Sequence, residues 1–338
     1  MNLQQLRNSR KAKSQGNKQT ETEWTNPAIF NYEMPDKADC KNPDIIIDSC
    51  WHGYGDCAVY CRVAAGAKLQ GITIAHAVNN PCGMRDLALC FGQEIVTASK
   101  HNKEKMFNVN TAYFYEIEKH GKIGQVQNRC DFLGIKTAAY PTPIDIPPLI
   151  KEWVDTVIKK ETVLLYPPVL LFPQCTQPIR TWPKNYFLVL REMLISQGYQ
   201  PIICVWNNDG YDWIKYVGNN LLINPKWIQV VALMQKAKAV IGNNSGAVHV
   251  AGLLKVPAFV LAGAATAESL IGEDSLIQVA VSKQELPCVE CYFQSPPKTK
   301  ACTIACLALQ MLTPNKVMSK FNQYLERNSY ESKITTRI

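Results

Sequence analysis

The sequence predicts an α/β protein built from two successive runs of alternating strands and helices, and three observations carry that expectation. Short apolar runs of strand length alternate with helix-length stretches from Ile45 to Ala98, and again from Val163 to Leu261. A stiff segment, Pro141-Thr142-Pro143-Ile144-Asp145-Ile146-Pro147-Pro148, parts the two runs, because proline blocks both helix and sheet. Residues 238–263, KAVIGNNSGAVHVAGLLKVPAFVLAG, contain one complete strand, turn, helix and strand, the unit that makes parallel strand pairs. At 338 residues the chain is long enough for two domains of ordinary size. The expected division is a disordered basic arm over 1–43, a first domain over 44–145, a linker over 146–160, a second domain over 161–312, and a closing helix and tail over 313–338.

Residues 1–24 lack the apolar core of a signal peptide. They carry Arg7, Arg10, Lys11, Lys13 and Lys18 before the first acid, Glu21, so residues 1–20 alone hold five positive charges against a net charge of +8 for the whole chain. Such an arm suits peripheral contact with an anionic surface, or remains a solvated tail. The rest of the chain is only mildly basic, which argues against a dedicated nucleic-acid surface. No apolar run approaches the roughly 20 residues of a membrane span. The expected location is cytoplasmic, with inner-membrane contact through the arm as an option.

In the first half, Ile45-Ile46-Ile47, Ile72 to Val78 and Glu94 to Ala98 read as strands. Residues 56–69 and 82–91 read as the helices between them, and 112–120 and 123–134 as later helices. The turn His52-Gly53-Tyr54-Gly55-Asp56 follows the first strand, and Asp56 opens the next helix, where the helix dipole favours its charged form. By itself it reads as a plain helix cap. In the second half, Val163 to Leu165 and Val169 to Phe172 are strands. Arg180 lies in a loop before Pro183, which starts a helix bearing Tyr186, Leu190 and Leu194 on one face. Arginine offers a planar fork to phosphate. Ile202 to Trp206 is a strand running into Asn207-Asn208-Asp209, and Trp227 to Lys236 is a helix. In the 238–263 unit, Asn244 and Ser245 are favourable N-cap residues, and Gly246 lets a ligand approach the backbone. His249 lies one turn further on. A helix N-terminus after a strand's carboxyl end is an anion site by its unpaired N–H groups.

Cys40, Cys50, Cys57, Cys61, Cys82, Cys90, Cys130, Cys175 and Cys204 are scattered through apolar segments and read as buried small hydrophobes in a reducing compartment. Cys288 and Cys291, then Cys302 and Cys306, are paired at metal-knuckle and helical spacing, which suits one structural Zn or Fe ion. A coincidence in a cysteine-rich chain, or a labile disulfide, is the alternative. A helix is expected from Thr313-Pro314-Asn315 to Leu325, followed by a frayed tail.

The stretch Asn244-Ser245-Gly246-x-x-His249-x-Ala251, with Pro257 and Gly263, resembles the signature of glycosyltransferase family nine, the ADP-heptose:lipopolysaccharide heptosyltransferases and their relatives. Gly55-Asp56, Phe132-Leu133-Gly134-Ile135, Arg180-Thr181-Trp182-Pro183, Ala264-Ala265-Thr266 and the Thr313-Pro314 helix add to the resemblance, which spans roughly residues 44–325. It implies a GT-B type fold, two Rossmann-like domains facing a cleft, and metal-independent transfer of a sugar with inversion. It implies an ADP-heptose type donor and a lipopolysaccharide, glycan, lipid-linked or protein acceptor. Asp56 would be the base, while Arg180, Asp209, Asn244, Ser245, Gly246 and His249 would hold the donor. No catalytic cofactor is implied. The resemblance reaches the autotransporter heptosyltransferases, which carry an iron-binding finger. The chain departs from the family at Asn244, where an aspartate is usual, and this keeps open a catalytically degenerate sugar-nucleotide-binding protein. A nucleic-acid-binding protein built on the finger and the arm is a further alternative, against which the lack of a dense basic and aromatic surface counts.

Overall fold

The computed structural model describes residues 32–34, 37–48, 53–78, 83–97, 106–107, 125–159, 168–206, 210–217, 220–264, 276–289, 291 and 305–335. The expected strand at 163–165, the expected helix at 112–120, the loop at Ala265-Thr266, and Cys50, Cys82, Asp209 and Cys302 lie outside them.

Strand β1 (Ile45–Asp48) leads into helix α1 (Tyr54–Leu69), β2 (Ile74–Val78), α2 (Gly83–Cys90), β3 (Glu94–Thr97), β4 (Met106–Phe107) and α3 (Gln125–Leu133). These strands form one parallel sheet in the order β3-β2-β1-β4. After α4 (Pro148–Lys159) the second half runs β5 (Pro168–Phe172), α5 (Lys184–Ser196), β6 (Gln200–Val205), α6 (Gly210–Val217), β7 (Leu221–Ile223), α7 (Trp227–Met234), β8 (Ala239–Asn243), α8 (Gly246–Leu253), β9 (Ala258–Leu261), β10 (Leu276–Val279), α9 (Leu307–Met311) and α10 (Pro314–Thr335). Its parallel sheet has the order β10-β9-β8-β5-β6-β7. Counted within this half, that is the doubly wound dinucleotide-fold order, whose direction reverses between β5 and β8. Strands β5, β6, β8 and β9 are buried along their whole length. Helices therefore cover both faces, which is why these strands read as unbroken apolar runs instead of alternating ones.

One apolar interior runs from the first half into the second. It joins Cys57, Ala58 and Cys61 of α1 and Met84 and Leu87 of α2 to Ile228, Val231, Val248 and Ala251 of α7 and α8. Helix α1 lies against α8, and α2 against α7. Every residue of α7 is buried, Gln229 included. Its Oε1 accepts the N–H of Lys226 at 2.7 Å and so closes the start of the helix.

The structure departs from the expected boundaries in three places. Met34 is in the core, and the Cys40 N–H donates to the Ile95 carbonyl at 2.9 Å, so packing begins upstream of residue 44. Lys37 also pairs with Glu94 at 2.9 Å. Residues 148–159 form a helix where a linker was expected. Pro148 occupies its first position, where proline fits, and Ile150, Trp153, Val154 and Val157 bury one face. The connecting segment, without regular structure, is 135–147, and it crosses α1 so closely that a Cβ on Gly66 would lie 2.0 Å from the Thr137 carbonyl oxygen. Finally, α10 continues to Thr335, beyond the expected end at Leu325.

Cys57, Cys61, Cys90, Cys130 and Cys204 are buried and free of disulfides. Burial pushes the Cys90 and Cys204 thiols up, and takes Cys130 to about 11, so these behave as small hydrophobes. Cys57 differs: a hydrogen bond from Cys61, aided by His76, outweighs burial and pulls its thiol down to about 6.

Candidate functional site

The reversal point between β5 and β8 fixes where a ligand sits, because loops leaving adjacent strands there diverge and open a crevice. Phe172 pairs with Gly242 in register at the carboxyl ends of these strands. Asn243 ends β8, fully buried, and ties the two loops together. Its Oδ1 accepts the Trp182 N–H at 2.9 Å, and its Nδ2 donates to the Pro173 carbonyl at 2.6 Å. Trp182 is itself buried, with its indole N–H donating to the Leu312 carbonyl at 2.7 Å. The loop between these anchors carries Arg180 at the end of a short 3-10 turn, Pro178–Arg180. Sequence reasoning passed over Asn243 in favour of its neighbour. The signal was available, since an amide at the buried end of an apolar strand must spend both its donor and its acceptor.

Ser245 is the N-cap of α8 in extended conformation, but its side chain makes no capping hydrogen bond. Gly53, the N-cap of α1, has no side chain to offer. Both helices therefore present their first N–H groups without a side-chain cap, and the two ends meet. A Cβ on Gly246 would lie 2.4 Å from the Tyr54 Cβ and 3.0 Å from the Gly55 nitrogen. A Cβ on Gly55 would lie 3.1 Å from the His249 Cδ2. Glycine is needed at both positions for the helices to approach this closely.

His249 is buried, and desolvation holds its imidazole down to about 4. Asp56 pulls it upward and Arg180 pushes it further down, which brings both of those residues into its field. At neutral pH it is an uncharged hydrogen-bonding group. The sequence expectation of a diphosphate contact thus reduces to a hydrogen bond, without a charge. Asn244 is buried, and its carbonyl accepts from the Cys175 thiol at 3.6 Å.

Asp56 sits in the first turn of α1 with about a third of its side chain exposed, and its Oδ1 lies 3.6 Å from the Nη2 of Arg129 on α3. Arg129 was not foreseen. Its trace in the sequence is an arginine beside Val126 and Cys130, which are themselves buried on α3. The site thus gathers Asp56 from one half, Ser245, Gly246 and His249 from the other, and Arg180 within electrostatic reach. Two helix N-termini and a guanidinium suit an anion, and a carboxylate stands beside them.

The described residues contain no group of three His, Cys, Asp or Glu side chains placed to hold a metal ion. Cys288 is exposed, Cys291 half-buried and Cys306 buried, and these three do not make a site by themselves. A Cβ on Gly263 would lie 2.7 Å from the Cys306 sulfur. No helix among the described residues is long and apolar enough to cross a membrane.

Two covered parallel sheets with their helix N-termini converging on one crevice define an α/β protein of GT-B type. Its fold is similar to those of solved glycosyltransferases. The iron-containing dodecameric glycosyltransferase TibC from enterotoxigenic E. coli H10407 superposes with a TM-score of 0.60 at 16% identity, over 87% of this chain and 78% of that one. TibC has also been solved in complex with ADP-D-beta-D-heptose (TM-score 0.58, 14% identity, 87% and 79% covered). The glycosyl transferase family 9 protein of Veillonella parvula DSM 2008 gives 0.58 at 12% identity, over 86% and 100%. ADP-heptose LPS heptosyltransferase II of E. coli gives 0.55 at 13%, over 85% and 100%. At such identities the likeness is one of fold. A comparison with curated protein sequences finds no match. In sequence, residues 159–294 match the model of glycosyltransferase family 9 (heptosyltransferase).

Proposed function

We propose that the protein is an inverting glycosyltransferase that moves a sugar from a nucleotide-diphosphate donor of ADP-heptose type to a hydroxyl of a lipopolysaccharide, glycan or protein acceptor. The observation that carries this reading is the meeting of Asp56 and His249 across the two halves, with the uncapped α8 N-terminus beside them. Asp56 would take the proton of the acceptor hydroxyl as its oxygen attacks the anomeric carbon. The bond from that carbon to the diphosphate oxygen breaks on the opposite face, so one displacement inverts the configuration. The departing diphosphate gains negative charge where the Gly246 N–H group, the α8 dipole and Arg180 stand ready. Neutral His249 would add one hydrogen bond. None of these steps calls on a metal.

The site residues, the cytoplasmic location and membrane contact through the basic arm belong to the same proposal, as does a structural Zn or Fe at the cysteine cluster, which rests on spacing alone. The match to family 9 and the fold of TibC, which binds ADP-D-beta-D-heptose, support the donor class. Asn244 favours a second reading, a sugar-nucleotide-binding protein that has lost turnover.

The experiment is a panel of nucleotide sugars scored by melting temperature, followed by ADP release with a heptose-deficient lipopolysaccharide core as acceptor. ADP-heptose is expected to raise the melting point and to be consumed; binding without consumption supports the second reading. A panel in which no nucleotide sugar binds overturns both.

A further inference from the structure

Arg129 on α3 carries a guanidinium with 2% of its side chain exposed. Burying a charge is costly unless it is paired, so its partner is informative. Its ion-pair partner is Asp56, at 3.6 Å through Oδ1. Two further contacts bear on the direction of the fork. Nη1 donates to the Asn128 Oδ1 at 2.9 Å, and the guanidinium carbon stands 5.9 Å from the centre of the Tyr60 ring. The next residue, Cys130, is locked in a core shared with Tyr60 and Val63 of α1, so α3 cannot slide along α1. The other carboxylate oxygen, Oδ2, lies on the side of exposed Gly53, where a Cβ would be 3.8 Å away. One oxygen is therefore paired from inside and the other lies at the exposed start of α1.

We infer that Arg129 is the positioning residue of the reaction: it holds Oδ1 of Asp56 so that Oδ2 faces the acceptor hydroxyl. This rests on the reading of Asp56 as the base. A carboxylate in the first turn of a helix otherwise samples several rotamers, and misplacing a base by about 1 Å can cost on the order of 100-fold in rate. Arg129 touches neither donor nor acceptor, so its effect should fall on turnover and leave donor binding alone.

The test uses the full chain with ADP-heptose and a heptose-deficient lipopolysaccharide core, comparing Arg129→Gln, Arg129→Lys, Asp56→Asn and the double variant Asp56→Asn/Arg129→Gln. Arg129→Gln is expected to lower kcat by about 10- to 100-fold with the ADP-heptose dissociation constant unchanged. Arg129→Lys should recover part of the loss. In the Asp56→Asn background, Arg129→Gln should cost nothing further, because its effect passes through Asp56. Additive losses, or a loss confined to melting temperature with kcat intact, overturn the inference and leave Arg129 a structural ion pair. If Asp56→Asn alone keeps full turnover, the base assignment itself falls. Crystal structures of the unsubstituted protein and Arg129→Gln decide the point without any turnover: Asp56 should leave its rotamer in the variant, and an unmoved carboxylate overturns the inference.

Discussion

Gly55 and Gly246, from opposite halves of the chain, are in van der Waals reach: a Cβ on Gly55 would stand 3.7 Å from the Gly246 Cα. Gly246 has the tighter surroundings, with the Tyr54 Cβ at 2.4 Å and the Tyr54 carbonyl carbon at 3.0 Å from the position of its missing Cβ. None of these atoms is the tip of a flexible side chain. Gly246→Ala should therefore push α1 off α8, at a cost of about 1–3 kcal/mol for overpacking. The expected result is a lower melting temperature and weaker binding of ADP-heptose, read by calorimetry. Unchanged values for both would mean that the halves part easily and that the contact carries no weight.

Asp56→Asn keeps the shape of the side chain at the start of α1 and removes its capacity to accept a proton. Turnover with ADP-heptose and acceptor is expected to fall by about 10²–10⁴, with donor affinity nearly unchanged. Near-native turnover would reduce Asp56 to a counter-charge for Arg129.

The imidazole of His249 gives a pH signature. Its folded value of about 4 lies below the ordinary value of 6.5. Between those two values the unfolded chain binds the proton more readily than the folded one, so stability is fully present above about pH 6.5 and is lost as pH falls toward 4. The loss is on the order of 3 kcal/mol, given the size of the shift. Thermal melts of the unsubstituted protein should show this slope, and His249→Asn should flatten it. An equal slope in the variant would assign the acid sensitivity to other groups.

Periodicity and turn chemistry made most of this fold legible. The 238–263 unit stands where its residues put it, because a strand, a polar turn and a helix of small residues each leave a local trace. Helix α4 was equally legible: Ile150, Trp153, Val154 and Val157 keep helical spacing, but the prolines before it were read as a block and not as a helix start. What was hidden is contact between distant segments. Nothing local in Gly55 announces His249, and nothing in Arg129 names Asp56, since those pairs exist only once the two halves and α3 are in place. Asn243 lay between the two cases, visible as a buried amide but unreadable as the clamp on the Arg180 loop.

The cysteine cluster makes a prediction that stands apart from catalysis. Cys288, Cys291 and Cys306 do not gather unaided, so a metal there requires Cys302 and would draw residues 288–306 together on binding. Elemental analysis of purified protein is expected to find close to one Zn or Fe per chain, and Cys302→Ser should abolish it with a fall in melting temperature. Well-folded protein without metal ends the idea.

Asn244 is where the chain departs from the family 9 signature it resembles, and its surroundings sharpen the expectation. The residue is buried at the junction of β8 and α8, next to Asn243, whose amide is wholly committed to Trp182 and Pro173. Asn244 precedes Ser245, the N-cap of α8, and aspartate has nearly the shape of asparagine, so Asn244→Asp should leave the fold intact. What the substitution adds is a negative charge one residue from the α8 N-terminus, beside the place proposed for a diphosphate. That charge repels the bound donor and should weaken its affinity. The same charge can orient a sugar hydroxyl or offset positive charge developing at the anomeric carbon, which should speed transfer. Donor affinity by calorimetry and turnover by ADP release separate the two effects. Weaker binding with faster transfer marks Asn244 as a brake on a working enzyme. Weaker binding with no gain in transfer points to a different sugar or to a protein that only binds its nucleotide. If neither quantity moves, Asn244 does not face the donor, and the departure from the family at this position is silent.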